Sequence, residues 1–274
     1  MRTRIAIAVA AVLFLLVGGG AVAIALITES PSLHAGEGRS IVEEDDDFGT
    51  VEVYTVLDDG SLDPEADGLT AEVWETFVRV ATLDFAAEVM AEYRAGDAPD
   101  SDTLAYVYQT DDPDYWVLAA NLATSSDSQQ LIATLIHEYA HIITLDTTQI
   151  GEQTSTCETF QLSEGCPEPD SLLVAFEERF WSPYGDAAPD ADNDDADAAW
   201  DFYLEHEEDF VSDYAATNVV EDIAESFMTF VLEDEPEGDS VAAQKLAFFW
   251  NEPDLVAIRE RIRTEFGDDL GLAD

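Results

Sequence analysis

Lysine is almost absent from this sequence: Lys245 is the only one in 274 residues. Lysine and arginine together number 10 against 61 aspartates and glutamates, a net charge of -51. Such a chain repels phosphate, so nucleic acid is excluded as a partner, and an anionic membrane surface is disfavoured for the same reason. Histidine is scarce too, at four residues. There are only two cysteines, Cys157 and Cys166, and none near the N-terminus, which excludes a lipid-modified cysteine there. No internal repeat occurs, and only one long uncharged apolar run, Ile5 to Ile27.

Hydrophobic residues make up 47% of the chain, enough to bury a core. The carboxylate-rich, lysine-poor composition suits a surface kept hydrated in concentrated salt. At about 1 M the Debye length is about 3 Å, which screens the self-repulsion, so a halophilic or salt-tolerant protein is expected. The run from Ile5 to Ile27 follows Arg2 and Arg4. As a helix at about 1.5 Å per residue it spans about 35 Å, enough to cross a bilayer. Residues 1–28 therefore read as a transmembrane anchor, or as a signal segment cleaved near Ala21-Val22-Ala23. Either reading places the rest outside the cytoplasm, at the cell membrane or secreted, with the membrane contacted through this segment only. In an oxidising compartment Cys157 and Cys166 are expected to form a local disulfide; two free thiols are the plain alternative.

Residues 29–48, with the run "EEDDD", read as an acidic linker, and residues 49–274 as the folded domain. "VEVYTVL", "TLAYVYQ" and "YWVLAANL" read as strands. "LTAEVWETFVRVATLDFAAEVMAEY" has apolar residues at helical spacing. Ser126 with Gln129 suggests a capping box that opens a further helix. From "SLLVAFEERFW" onward the pattern is helical, interrupted by the acidic stretch "SPYGDAAPDADNDDADAAW". The expected fold class is α+β: a small mixed sheet with helices, then a mostly helical half.

The helix opened near Ser126 carries "LIATLIHEYAHIITL", with His137 and His141 around Glu138. Positions i and i+4 share one face, so two imidazoles can reach one tetrahedral ion, with the glutamate beside the open position. The bland alternative is an apolar core helix with two satisfied histidines. A third ligand is the discriminator. His34 falls in the linker, and His206 in a charged stretch that reads as a solvated helix face. "YAATNVVEDIAESF" offers Glu221 and Glu225, again at i, i+4: one to bind metal, the other to hydrogen-bond a ligand histidine.

H-E-Y-A-H followed by E-x-x-x-E resembles the gluzincin metallopeptidases. More narrowly, Tyr214, Thr217, Asn218, Glu221, Ala224, Glu225 and Phe227 match a segment of the group that includes the catalytic domain of anthrax lethal factor. The resemblance covers about 20 residues in two blocks. It implies a zincin-like domain and one Zn²⁺ per chain, held by His137, His141 and Glu221. It further implies Glu225 behind a ligand, Glu138 as general base, Tyr214 at the oxyanion and a peptide or protein substrate. Glu221 stands 80 positions after His141, which makes the cysteine loop and the acidic loop insertions. An extended peptide would pair with "YWVLAANL" if that strand is at the edge. The alternative is a catalytically silent zincin-like module that binds peptides or envelope partners.

Other features read more plainly. "DADNDDAD", Asp190 to Asp197, resembles a Ca²⁺ loop in its alternating acids, but Asp195 stands where an EF-hand needs glycine, so a solvated insertion is favoured. Arg259, Arg261 and Arg263 are expected to offset acids on a helix face, and Phe248, Phe249 and Trp250 to be core.

Overall fold

The computed structural model describes residues 41–154 and 156–272. Within the acidic stretch read as linker, Ile41–Asp45 forms strand β1, which pairs antiparallel with β2 (Gly49–Val56). Local chemistry makes the hairpin: the Asp45 carboxylate accepts from the backbone N–H groups of Asp47 and Phe48, at 3.0 and 2.9 Å. Gly49 supplies the left-handed φ of +66° that closes the turn. The short β3 (Leu62–Asp63) pairs with the far end of β2.

The stretch read as one long helix divides into α1 (Gly68–Ala81) and α2 (Leu83–Val89), followed by β4 (Met90–Gly96). The break is at Thr82, whose φ of +94° no helix accommodates, and whose hydroxyl caps α2. β5 (Ala105–Gln109) and β6 (Trp116–Asn121) complete the sheet. The strand order is β1-β2-β4-β6-β5, antiparallel except for the parallel β4/β6 pair. β6 is thus interior and buried along its length, and the edge beside it is β5; this corrects the expectation that "YWVLAANL" could serve a peptide.

α3 (Ser128–Leu145) begins one residue later than the capping box suggested. Asp127, not Ser126, accepts from the N–H groups of Gln129 and Gln130. From Ile132 onward nearly every residue of α3 is buried. Each fully buried Leu or Ile there stabilises by about 1.5–3 kcal/mol, so this helix is the centre of the core. Beyond it come the small ribbon β7 (Ile150–Gly151) with β8 (Cys166–Pro167), then α4 (Leu172–Phe180) and α5 (Ala196–His206). The helix expected to run on from α5 instead ends at His206 and gives way to 3-10 turns at Glu207–Asp209 and Tyr214–Ala216. α6 (Val219–Leu232), α7 (Val241–Phe249) and α8 (Pro253–Leu270) follow. The architecture is mixed α+β with a small mixed sheet.

The arginines of α8 do more than offset acids, although Arg259 lies 3.3 Å from Glu260 and Arg263 3.2 Å from Asp234. Arg259 donates to the carbonyls of Phe230 and Glu233, and Arg263 to those of Val231 and Leu232, so together they close the C-terminal end of α6. Arg261 donates to the carbonyls of Arg79 and Val80 at the end of α1. Cations at helix C-termini satisfy carbonyls that have no partner within the helix. Phe248 and Phe249 are buried as expected, while Trp250 packs half-buried against the core.

The membrane assignment is corrected. Among the described residues no helix is long and apolar enough to cross a membrane. The run Ile5 to Ile27 that prompted it lies outside the described residues, and the location inferred from it, at a cell membrane or secreted, goes with it. Cys157 and Cys166 are disulfide-bonded, with Cα atoms 5.4 Å apart, which is compatible with an oxidising compartment.

Candidate metal centre

α3 and α6 cross in the core and bring their polar faces together. The i, i+4 spacing stacks His137 and His141 on α3, with ring centroids 4.7 Å apart. Opposite them Glu221 lies in the first turn of α6. Asn218 fixes that turn by accepting from the N–H groups of Val220 and Glu221, at 2.8 and 2.9 Å. The Nε2 atoms of the two histidines are 2.9 Å apart, and Glu221 Oε2 lies 3.1 Å from one and 3.3 Å from the other. All three residues are buried, and together they can hold a metal ion.

The atoms fit a cation better than they fit one another. His137 Nδ1 is 2.9 Å from Glu225 Oε1, and Glu225 in turn accepts from Ser212 Oγ at 2.6 Å. A proton on Nδ1, given to Glu225, leaves a lone pair on Nε2 in the neutral ring. That lone pair points where His141 Nε2 and Glu221 already converge. Tetrahedral coordination at about 2.0–2.1 Å sets neighbouring ligand atoms about 3.3 Å apart, close to the spacings seen. Without an ion a proton takes its place. Burial pushes His137 down, but Glu221 and Glu225 outweigh it and hold the imidazole well above its ordinary value. Burial likewise pushes Glu221 up, but His141 and His137 hold its carboxyl well below the usual range.

Glu138 is buried beside this cluster and belongs to none of its hydrogen bonds. Burial raises its carboxyl to about 7, against the opposing pull of His137 and His141 and a backbone hydrogen bond from Val107 in β5. Tyr214 reaches the same place from the 3-10 turn before α6. Its ring centroid is 5.9 Å from that of His137. Burial raises its phenol well above the ordinary value, and the neighbouring Glu221 carboxylate adds to this, also through a hydrogen bond. The structure therefore brings together His137, Glu138, His141, Tyr214, Glu221 and Glu225.

Asp190 to Asp197 forms no such centre. Among the described residues no group of three or more His, Cys, Asp or Glu side chains within ligand distance occurs there. Instead Asp195 caps α5, and Asn193 and Asn218 clasp the loop to the start of α6: Asn193 Nδ2 donates to the Thr217 carbonyl and Asn218 Nδ2 to the Asn193 carbonyl, each at 3.0 Å. His206 is half-buried, packed at a tilt against Tyr184 and Phe202 with ring centroids 4.7 Å from each.

A second buried charge cluster was not foreseen from the sequence. Lys245 on α7 is fully buried, with Nζ 2.7 Å from Asp222 Oδ2 and 3.6 Å from the centroid of the Phe210 ring. The approach is ionic rather than a well-aimed hydrogen bond. Asp222 also accepts from Trp181 Nε1 at 2.7 Å and from Ser226 Oγ at 3.2 Å. The available signal was the lone lysine itself, placed in the otherwise apolar "VAAQKLAFFW".

No protein-family model matches the sequence, and no curated protein or solved structure matches it.

Proposed function

We propose that the chain is a zinc-dependent peptidase of gluzincin type, with a zincin-like domain formed by the sheet, α3 and α6. One observation carries this reading: a buried His137–His141–Glu221 cluster with Glu138, of raised pKa and outside the cluster's own hydrogen bonds, at its side. Two imidazoles and a carboxylate form the donor set of hydrolytic zinc sites, which keep one position open. When bound, zinc supplies Lewis acidity: it lowers the pKa of water to about 7 and polarises a carbonyl.

The chain's own residues supply the rest. Glu138 takes the proton of the attacking water on its carboxylate and returns it to the leaving amine; a value of about 7 suits both directions of transfer near neutral pH. The Tyr214 hydroxyl donates to the oxyanion that forms on the scissile carbonyl. Glu225 fixes the His137 tautomer by accepting from Nδ1. β5 is the edge strand beside α3: Gln109 Nε2 donates to the Leu145 carbonyl at 2.9 Å, and the Val107 backbone bonds to Glu138. An extended substrate adds to this edge by backbone pairing, which places its carbonyl against the cluster.

The test combines metal analysis of the purified protein with digestion of an unbiased peptide library. One equivalent of zinc and cleavage are expected. Glu138→Gln should keep zinc and its circular dichroism while hydrolysis falls by about 10²–10⁴-fold, the usual worth of a positioned base. Tyr214→Phe should lose less, because zinc still stabilises the oxyanion. Zinc and peptide binding without cleavage in wild type would make the chain a binding module; equal cleavage by Glu138→Gln would reject the assigned base.

A further inference from the structure

Tyr214 and His137 come from different parts of the chain, and one hydroxyl bonds toward both. Ser212 stands between α5 and α6, two residues before Tyr214. Its Oγ lies 2.6 Å from Glu225 Oε2, while Glu225 Oε1 lies 2.9 Å from His137 Nδ1. Both oxygens of Glu225 are therefore engaged, and the carboxylate cannot rotate without losing a partner. Ser212 Oγ also accepts from the Ala215 N–H at 3.1 Å. A serine hydroxyl has one proton and two lone pairs, so it can give to Glu225 and take from Ala215 at once.

The second bond shapes the turn that carries Tyr214. Within that turn the Asp213 carbonyl accepts from the Ala216 N–H and the Tyr214 carbonyl from the Thr217 N–H, at 3.2 and 3.0 Å. So short a 3-10 turn has little hold of its own. A side-chain oxygen that takes the N–H three residues on satisfies a donor the turn leaves open. The stretch is fixed at its ends by other residues. Upstream, the Phe210 ring is buried 5.8 Å from that of Trp181, with Lys245 Nζ 3.6 Å from its centroid. Downstream, Asn218 opens α6. Between these ends Ser212 is half-buried, and its hydroxyl joins the stretch to Glu225.

We infer that Ser212 is a positioning residue of the proposed site: its hydroxyl couples the Glu225–His137 pair to the turn of Tyr214, so that a metal ligand and the oxyanion donor are held in one register. This rests on the metal and peptidase reading above and deepens it. Ser212 acts through Glu225 on one side and through the Ala215 N–H on the other. A serine that served the turn alone would leave metal binding by His137 untouched.

Zinc affinity of the full chain, measured by competition with a chelator, reads the Glu225 side without any substrate. Glu225→Ala should weaken zinc by about 10–100-fold, the usual effect of losing an outer partner, and Ser212→Ala, one bond further out, by about 3–10-fold. Ser212→Thr keeps the hydroxyl and should restore most of the affinity. In the Glu225→Ala background, Ser212→Ala should add nothing more, since the serine acts on the metal through that carboxylate. Hydrolysis by the zinc-saturated protein reads the other side. Ser212→Ala should lower kcat with KM little changed, as for an interaction made in the transition state, and the fall should be smaller in the Tyr214→Phe background. The inference is overturned, and the zinc site stands, if Ser212→Ala binds zinc as wild type does. It is equally overturned if the loss is as large in the Glu225→Ala background, or if Ser212→Thr binds no better than Ser212→Ala. An equal fall in kcat with and without the Tyr214 hydroxyl removes the coupling, and the proposal with it. A wild type that binds no zinc refutes the metal reading and this inference together. One that binds zinc and cleaves nothing ends the peptidase reading, and with it the link to an oxyanion donor.

Discussion

Glu221 and Asp222 are neighbours on α6, both buried, and they face opposite fates. Asp222 meets a fixed lysine, Lys245, along with Trp181 and Ser226. Glu221 meets two imidazoles, whose charge depends on a proton or a metal. The chain has one lysine, and it stands on the structural side of the helix. A buried carboxylate needs a positive partner; where the fold supplies none permanently, an exchangeable one must serve. The two sides of α6 thus separate a charge pair that holds the helix from a charge cluster that can hold a metal ion.

The largest expected effect lies on the lysine side. Lys245→Met leaves Asp222 buried beside no cation and should destabilise the protein by about 3–5 kcal/mol in denaturant melts. Adding Asp222→Asn should recover most of that loss, since the amide still serves Trp181 and Ser226. A double variant no better than the single would break the view of the two as a pair.

On the other side, Glu221→Gln should cost the metal-free protein less than Lys245→Met does, because its partners can lose their charge. What it should remove is stabilisation by zinc, about 2.7 kcal/mol when free zinc is 100-fold above the wild-type Kd. Equal stabilisation of wild type and Glu221→Gln by zinc would mean that Glu221 is not a ligand.

The smallest effect is a dependence on pH, and its sign follows from the two shifts. His137 is raised above 6.5, so its ion pair stabilises the metal-free fold below that value and is lost as pH rises through the folded value. Glu221 is lowered from 4.5, so its contribution is present above that value and is lost as pH falls through the folded one. Zinc bound as proposed would displace the His137 proton. The gain in melting temperature on adding zinc should therefore be larger at pH 8 than at pH 5.5. An equal gain at both would show that no proton leaves. Lys245→Met should leave the direction of this trend unchanged.

The two sides also differ in how far the sequence speaks for them. His137, His141, Glu221 and Glu225 stand at i, i+4 spacings, and helical geometry alone puts each pair on one face. That the two pairs meet across α3 and α6 was expected only from the family resemblance, since neither helix states its partner. Lys245 and Asp222 have no such local signature, because their pairing depends on how α6 and α7 pack, and that is not written in either helix. The sheet order was hidden for a similar reason: "YWVLAANL" is equally apolar at an edge or in the interior. Thr82 hid the end of α1, since a threonine at positive φ looks like any helical residue in the periodic pattern.

The buried lysine has a chemical corollary. Its ε-amine is the only side-chain amine in the molecule, and the fold closes over it. Acylating reagents, aldehydes and amine-directed cross-linkers find no lysine to react with on the native surface. Each lysine modified in such an experiment records a molecule in which α7 had parted from α6. The protein thus carries a built-in single-site reporter of its own opening, readable by mass spectrometry without introducing any label.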